Sequence, residues 1–210
     1  MQIAYIVSTY GPRTTTATIE SIPEQYRSQN DGYFIYSGSG FPSWAAMLNK
    51  AIKDHINDYD VLIVVHDDVI LEEYTSEELV SALDYLDMAM AFDKDRPESQ
   101  SQPNAFCFTI TPKLVEKVGY FDEGFEKYLL EDIDYFHRIE LAGLIARSVT
   151  GVTHHGGISA RKLTPDEHEI WVQNYVRYII KWGGAIKEEK FTMPFNGLTE
   201  AKALEIYAAS

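Results

Sequence analysis

Apolar residues fall in two kinds of pattern that alternate along the first half of the chain. Residues 3–8 (Ile-Ala-Tyr-Ile-Val-Ser) and 61–65 (Val-Leu-Ile-Val-Val) are compact runs, the pattern of strands buried on both faces. Tyr33-Phe34-Ile35-Tyr36 reads as a third strand, ending in Ser37-Gly38-Ser39-Gly40. Between these runs the spacing is helical. One helix is expected over about 14–28, disturbed by Pro23, and another from Pro42 to about Ile56 through Trp44, Met47, Leu48, Ala51 and Ile52. Leu79, Leu83, Leu86 and Met90 share one helical face and predict a helix over 75–92.

The polar stretch Asp93–Pro103, with two prolines, reads as a surface loop. Beyond it the pattern predicts strands at Asn104–Ile110 and Leu144–Val149, with helices at Pro112–Val118 and Leu129–Leu141. Thr164-Pro165-Asp166-Glu167 carries a capping box with proline at the first helical position, and Gly183-Gly184 marks that helix's end. Residues 185–210 are weakly patterned, with a short helix from Thr199. The order strand–helix–strand–helix–strand predicts an α/β fold: a mostly parallel sheet flanked by helices. The expected domain spans 1–184, with 185–210 as an extension packed on or beside it. Ligands of such sheets bind beyond the carboxyl ends of the strands. That rule draws attention to Thr9–Arg13, Ser37–Gly40 and His66–Asp68.

Composition narrows the class. At 210 residues, 45% apolar and 24% charged, the chain is globular and not disordered or fibrous. A single cysteine, Cys107, excludes an intramolecular disulfide and a cysteine-rich zinc site. No apolar run reaches the ~18–20 residues of a membrane span. Met1–Val7 reads as a first strand, not a signal peptide, so the default location is cytoplasmic. The net charge of −14 disfavours bulk binding to nucleic acid or anionic membranes.

Three segments carry candidate chemistry. Val65-His66-Asp67-Asp68-Val69 sets an imidazole and two carboxylates at a strand end. Adjacent carboxylates stay ionised together when a cation or water lies between them, and magnesium or manganese shares such oxygens with substrate phosphates. The plain alternative is a solvated turn. Glu131-Asp132-Ile133-Asp134 brings three acids to a helix start, where the helix dipole stabilises each by roughly 0.3–1 kcal/mol. A carboxylate there is also a candidate general base. Thr153-His154-His155-Gly156-Gly157 is a glycine-rich turn in which His154 is a candidate ligand of metal or phosphate. Arg161 and Lys162 follow, placed to neutralise a diphosphate.

Taken together, these segments resemble the nucleotide-sugar-dependent glycosyltransferases of the GT-A fold, and in particular the inverting enzymes of family 2. The resemblance spans about residues 3–183. Ile6-Val7-Ser8-Thr9-Tyr10 looks like the family's first strand and donor loop, and Leu48-Asn49-Lys50-Ala51-Ile52 like its Asn-x-Gly-Ile helix. His66-Asp67-Asp68-Val69 looks like the DxD-type metal motif in its His-x-Asp-Val form. Gly119-Tyr120-Phe121-Asp122-Glu123-Gly124-Phe125, the Glu-Asp-x-Asp helix with Arg138 and Gly143, His154 with Ser159, and Lys181-Trp182-Gly183 follow in the family's order.

The resemblance implies a Rossmann-like GT-A fold, a nucleotide-diphospho-sugar donor and a divalent metal, Mn or Mg. It places Asp132 as catalytic base with Glu131 assisting, and Asp68 and His154 at the metal. Thr9, Tyr10, Arg13, Ser37, Asn49, His66, Asp67 and Arg161 fall at the donor. The acceptor expected of such an enzyme is a glycan, a lipid-linked sugar, a protein or a modified nucleic-acid base. One departure stands out: Tyr36-Ser37-Gly38-Ser39-Gly40 holds no acid where the family contacts the nucleobase. That absence favours the alternative of a non-catalytic nucleotide- or glycan-binding module, whereas Asp68 and the Glu131–Asp132 pair favour an enzyme. A nucleotidyltransferase would show a Gly-rich, basic loop after the first strand, which Thr9-Tyr10-Gly11-Pro12-Arg13 matches poorly.

Overall fold

The computed structural model describes residues 1–9, 15–28, 32–96, 100, 105–155 and 163–210. Strand β1 (Ile3–Thr9) pairs in parallel with β2 (Tyr33–Ser37) on one side and β3 (Val61–His66) on the other. β6 (Cys107–Ile110) runs antiparallel to β3 and to β5 (Met88–Asp93), and β5 pairs in parallel with β7 (Ala146–His154). The two-residue β4 (Val69–Ile70) pairs antiparallel with the end of β7. The sheet order is β2-β1-β3-β6-β5-β7-β4. The parallel ladders are the long ones, so the expected mostly parallel α/β sheet is what the chain builds. The reversed β6 is not visible in periodicity.

The central strands are apolar throughout because both faces are covered. β1 sends Ala4 and Ile6 to one face and Tyr5 and Val7 to the other, all fully buried. The first face packs on α3 (Trp44–His55), α5 (Pro112–Val118) and α6 (Glu131–Leu141) through Met47, Leu48, Leu114, Tyr135 and Ile139. The second packs on α1 (Thr15–Ser21) and α4 (Thr75–Ala82) through Ile22, just past α1, and Leu79. Each large aliphatic side chain so buried contributes about 1.5–3 kcal/mol.

The helix expected over 75–92 is a correction. α4 stops at Ala82, and Met88–Asp93 is strand β5. Its Met-Ala-Met-Ala run is buried between β6 and β7, and a short run buried on both faces looks the same for helix and strand. Asp87 secures the turn, accepting from Ile145 N at 3.0 Å and from Lys113 Nζ at 2.9 Å. The first helical stretch divides at Pro23 into α1 and α2 (Glu24–Arg27). β7 runs on to His154, five residues past its expected end. The loop expected at Asp93–Pro103 lies partly outside the described residues.

α7 (Pro165–Trp182) has its expected capping box, with Thr164 N donating to Glu167 Oε2 at 2.8 Å. It ends at Gly183, whose φ of 78° is left-handed and whose added Cβ would strike the Phe191 ring at 2.7 Å. The chain then folds back: Lys190 N and Phe191 N both donate to Trp182 O. α8 (Glu200–Ala209) lays Ala203 against Val176 and Ile179, so the extension packs on α7.

Candidate active site

Strand direction gathers the polar residues at one edge of the sheet. β1, β2 and β3 are parallel, which aligns their carboxyl ends at Thr9, Ser37 and His66. β6 enters from that same edge, with His66 N donating to Phe106 O at 2.8 Å. β5 and β7 end there too, at Asp93 and His154. Thr9 and Ser37 are register partners, and Gly38 N donates to Thr9 O at 2.7 Å. Thr9 Oγ1 donates to Asp67 Oδ2 at 2.6 Å, and Thr18 Oγ1 donates to Asp67 O at 2.9 Å.

Asp68 immediately precedes β4, and the β4–β7 ladder sets Val69 opposite His154. His154 Nε2 therefore lies 3.3 Å from Asp68 Oδ1, with both side chains largely buried. The His154 ring stacks on Phe106, and Arg96 Nη2 lies 3.2 Å from its Nδ1. A guanidinium only donates, so a neutral His154 carries its proton on Nε2, facing Asp68. Arg96 is itself paired with buried Asp93 at 2.6 Å. Burial works to raise the Asp68 pKa, but His154 and His66 together bring it below the usual carboxylate value. Burial pushes the neighbouring His66 down to about 4, with His154 adding to the effect against the opposing pull of Asp68. A cation at such an edge needs only one or two protein ligands when a diphosphate supplies others. The Asp68 oxygen fits that donor set, and the imidazole, with its Nε2 proton toward Asp68 and its Nδ1 toward Arg96, orients that oxygen. Among the described residues no cluster of three or more such ligating side chains forms.

The acidic helix reaches this edge through Trp44. Ser43 caps α3 just after the β2 tip and bridges to Lys127, and Trp44 N donates to Lys127 O at 2.5 Å. The Trp44 ring sits 5.4 Å from His66 and 5.5 Å from Phe121, both edge-on. From Lys127 the chain enters α6 through left-handed backbone, with φ of 51° at Lys127, 88° at Leu129 and 74° at Leu130. Non-glycine residues there cost about 1–3 kcal/mol each and cluster at functional sites.

The three acids that follow have three different surroundings. Asp134 is fully buried and accepts from Arg138 Nε at 2.9 Å, Trp182 Nε1 at 2.9 Å and Lys181 Nζ at 2.6 Å. It clamps α6 to α7. Asp132 is half-buried and accepts from Ile133 N at 2.8 Å. Glu131 is buried, and its Oε2 has no hydrogen-bond partner. Burial, reinforced by the Asp132 charge, pushes Glu131 up to about 8; burial also raises Asp132.

Asn49 lies beneath this loop. Its amide donates to Phe121 O at 2.9 Å and Glu123 Oε1 at 2.8 Å, and its carbonyl accepts from Phe121 N at 2.9 Å. It is a strut for the 121–123 turn. Tyr10, Arg13 and Arg161 lie outside the described residues. Trp44, Thr18, Arg96 and Asn174 have no motif that marks them in sequence. Each acts through a partner far along the chain.

A mixed sheet of this order, with its polar edge at the strand ends and an acidic helix brought against it, defines the GT-A fold. Solved structures bear this out. Glucosyl-3-phosphoglycerate synthase from Mycobacterium tuberculosis, solved with Mg²⁺ and UDP, matches with a TM-score of 0.54 at 16% identity, over 85% of this chain and 78% of that one. A Drosophila beta-1,4-galactosyltransferase 7 mutant, solved with manganese, UDP-Gal and xylobiose, matches at 0.51 and 14%, over 81% of this chain and 79% of that one. No protein-family model and no curated protein matches the sequence. Among the described residues no helix is long and apolar enough to cross a membrane.

Proposed function

We propose that the chain is an inverting glycosyltransferase that moves a sugar from a nucleotide-diphospho-sugar to an acceptor hydroxyl. The observation that carries this reading is the Glu131–Asp132 pair. A buried carboxylate oxygen without a partner, beside a second carboxylate, destabilises the fold. A module that only binds has no use for it. A transferase does, because burial raises the proton affinity of both carboxyls, so that one can hold a proton while the other acts as base.

The environments separate the two roles. Glu131, raised by burial and by the Asp132 charge to about 8, stays protonated near neutral pH and can donate a hydrogen bond to the acceptor. Asp132 then carries the charge. It takes the proton from the acceptor hydroxyl as that oxygen attacks the anomeric carbon. The bond to the diphosphate breaks on the opposite face, and the leaving group keeps its electron pair. One displacement inverts the configuration. Asp68, with His154 beside it, would hold Mg²⁺ or Mn²⁺; a cation so bound offsets charge on the leaving diphosphate. Thr9, Ser37 and Asp67 line the edge assigned to the donor, and Tyr10, Arg13 and Arg161 belong to the same proposal. The neighbours solved with UDP or UDP-Gal support a nucleoside-diphosphate donor.

The test is a thermal-shift panel of UDP, GDP, dTDP and CDP with Mn²⁺, Mg²⁺ or EDTA, followed by nucleotide release from the matching sugar. One nucleotide is expected to raise Tm by mass action, with the shift lost in EDTA. No shift and no release would overturn the reading. A shift without turnover on any glycan, lipid-linked, protein or base acceptor would identify a binding module instead.

A further inference from the structure

We propose that Asn174 is a positioning residue for the acceptor base, holding the left-handed segment that delivers Glu131 and Asp132. This rests on the transferase reading above. Asn174 lies on α7 and is buried at 1% exposure. Its Oδ1 accepts from Glu126 N at 2.8 Å. The two N–H groups of its Nδ2 are shared among Glu126 O at 3.0 Å, Tyr128 O at 3.2 Å and Leu129 O at 3.0 Å. One side chain thus satisfies four backbone groups within four consecutive residues.

Those residues need such a partner. Lys127, Leu129 and Leu130 all have positive φ; Leu130 O joins the α6 ladder through Asp134 N at 2.9 Å, whereas Lys127 O and Leu129 O take their bonds from Trp44 N and Asn174 Nδ2. The bonds to Asn174 are part-buried, and backbone groups shielded in this way still need partners. Leu130 packs with Phe125, Tyr178 and Trp182, but apolar contact is non-directional and does not fix how the chain enters α6. The amide of Asn174 does, because each of its bonds sets a peptide direction.

A second anchor lies two helical turns earlier on the same face of α7. Glu167, which closes the capping box through Oε2, accepts Tyr128 OH on Oε1 at 2.7 Å. From the sheet side, Trp44 N holds Lys127 O. The segment before the base is therefore gripped from α7 and from α3, and Asn174 supplies most of the directional bonds.

The test is Asn174→Asp, which keeps the shape and the acceptor but removes both N–H donors. A base displaced by about 1 Å loses on the order of 10²-fold in rate. The expected result is a fall in kcat of about that size, with donor KM and the nucleotide-induced Tm shift within about twofold of wild type. Amide exchange at Leu129, Leu130 and Glu131 should quicken, while exchange within α7 holds. If this variant does not fold, Tyr128→Phe, which removes one hydroxyl from the same anchor set, should lower kcat without raising donor KM. A parallel loss of kcat and donor affinity, or unchanged kcat in a folded variant, would overturn the role. Should the wild-type protein transfer nothing, the glycosyltransferase reading fails on its own. Amide exchange then decides the positioning role, and unchanged protection at Leu129–Glu131 overturns it.

Discussion

Asp68 Oδ1 and His154 Nε2 lie 3.3 Å apart although 86 residues separate them in sequence, because the short β4–β7 ladder sets Val69 opposite His154. This pair gives the first prediction. Asp68→Asn should abolish the cation dependence of nucleotide binding, read as a Tm shift no longer sensitive to EDTA. His154→Ala should weaken metal affinity by about 10–100-fold, the usual cost of losing a residue that orients or supports a ligand. An EDTA-sensitive shift of wild-type size in Asp68→Asn would remove Asp68 from the metal site.

Asp132→Asn keeps the shape and the hydrogen bond from Ile133 but cannot take a proton. Transfer should fall by about 10²–10⁴-fold, the range assigned to general base catalysis. Nucleotide-induced stabilisation should stay within about twofold. Steady-state rates alongside the thermal shift check both halves, and comparable transfer would exclude Asp132 as the base.

Glu131 makes a prediction about stability. Its folded pKa of about 8 lies above the unfolded value of 4.5. The unfolded chain therefore loses its proton first as pH rises. The contribution of the neutral carboxyl is full below about pH 4.5 and is lost by about pH 8. Glu131→Gln removes that loss. The variant should be more stable than wild type at pH 8, and the gap should close near pH 4.5, as measured by urea unfolding. A gap that does not change with pH would contradict the raised ionisation.

Lys181 joins two acids, Asp122 at 2.7 Å and Asp134 at 2.6 Å, with almost no exposure. Burial alone would raise Asp122, but Lys181, Gly124 N and Arg177 hold it lower, at about 2. A depressed carboxylate contributes stability above its unfolded value of 3.8, lost as pH falls toward 2. Lys181→Met should destabilise by about 3 kcal/mol at pH 7, since it takes the shared cation from between two buried carboxylates and leaves Asp134 to Arg138 and Asp122 to Arg177. Its stability should also fall less steeply than that of wild type between pH 4 and 2. Chemical denaturation across that range would show it.

Local signals were strong enough to reveal several elements. The run 61–65 ending in His66-Asp67-Asp68 marks a buried strand that stops at a polar edge, because a doubly covered strand must be apolar throughout. Thr164, Pro165 and Glu167 mark the start of α7, since capping depends on residues three apart. Pro23 marks the break between α1 and α2. Met88–Asp93 shows the limit, because a buried run carries no period that separates strand from helix.

The sequence by itself determined the class of fold, the caps and the places where charge meets a strand or helix end. All of these depend on neighbours within a few residues. Only the tertiary structure decided what each charge does. Glu131, Asp132 and Asp134 read alike along the chain, yet Asp134 is bound by Lys181 and Trp182, Glu131 is buried with an unpartnered oxygen, and Asp132 lies half-open. Asn49 reads, through the family resemblance, as a residue at the donor, and the structure turns its side chain onto Phe121 and Glu123. Burial, pairing and ionisation are set by partners that arrive from distant segments, and no local pattern encodes that arrival.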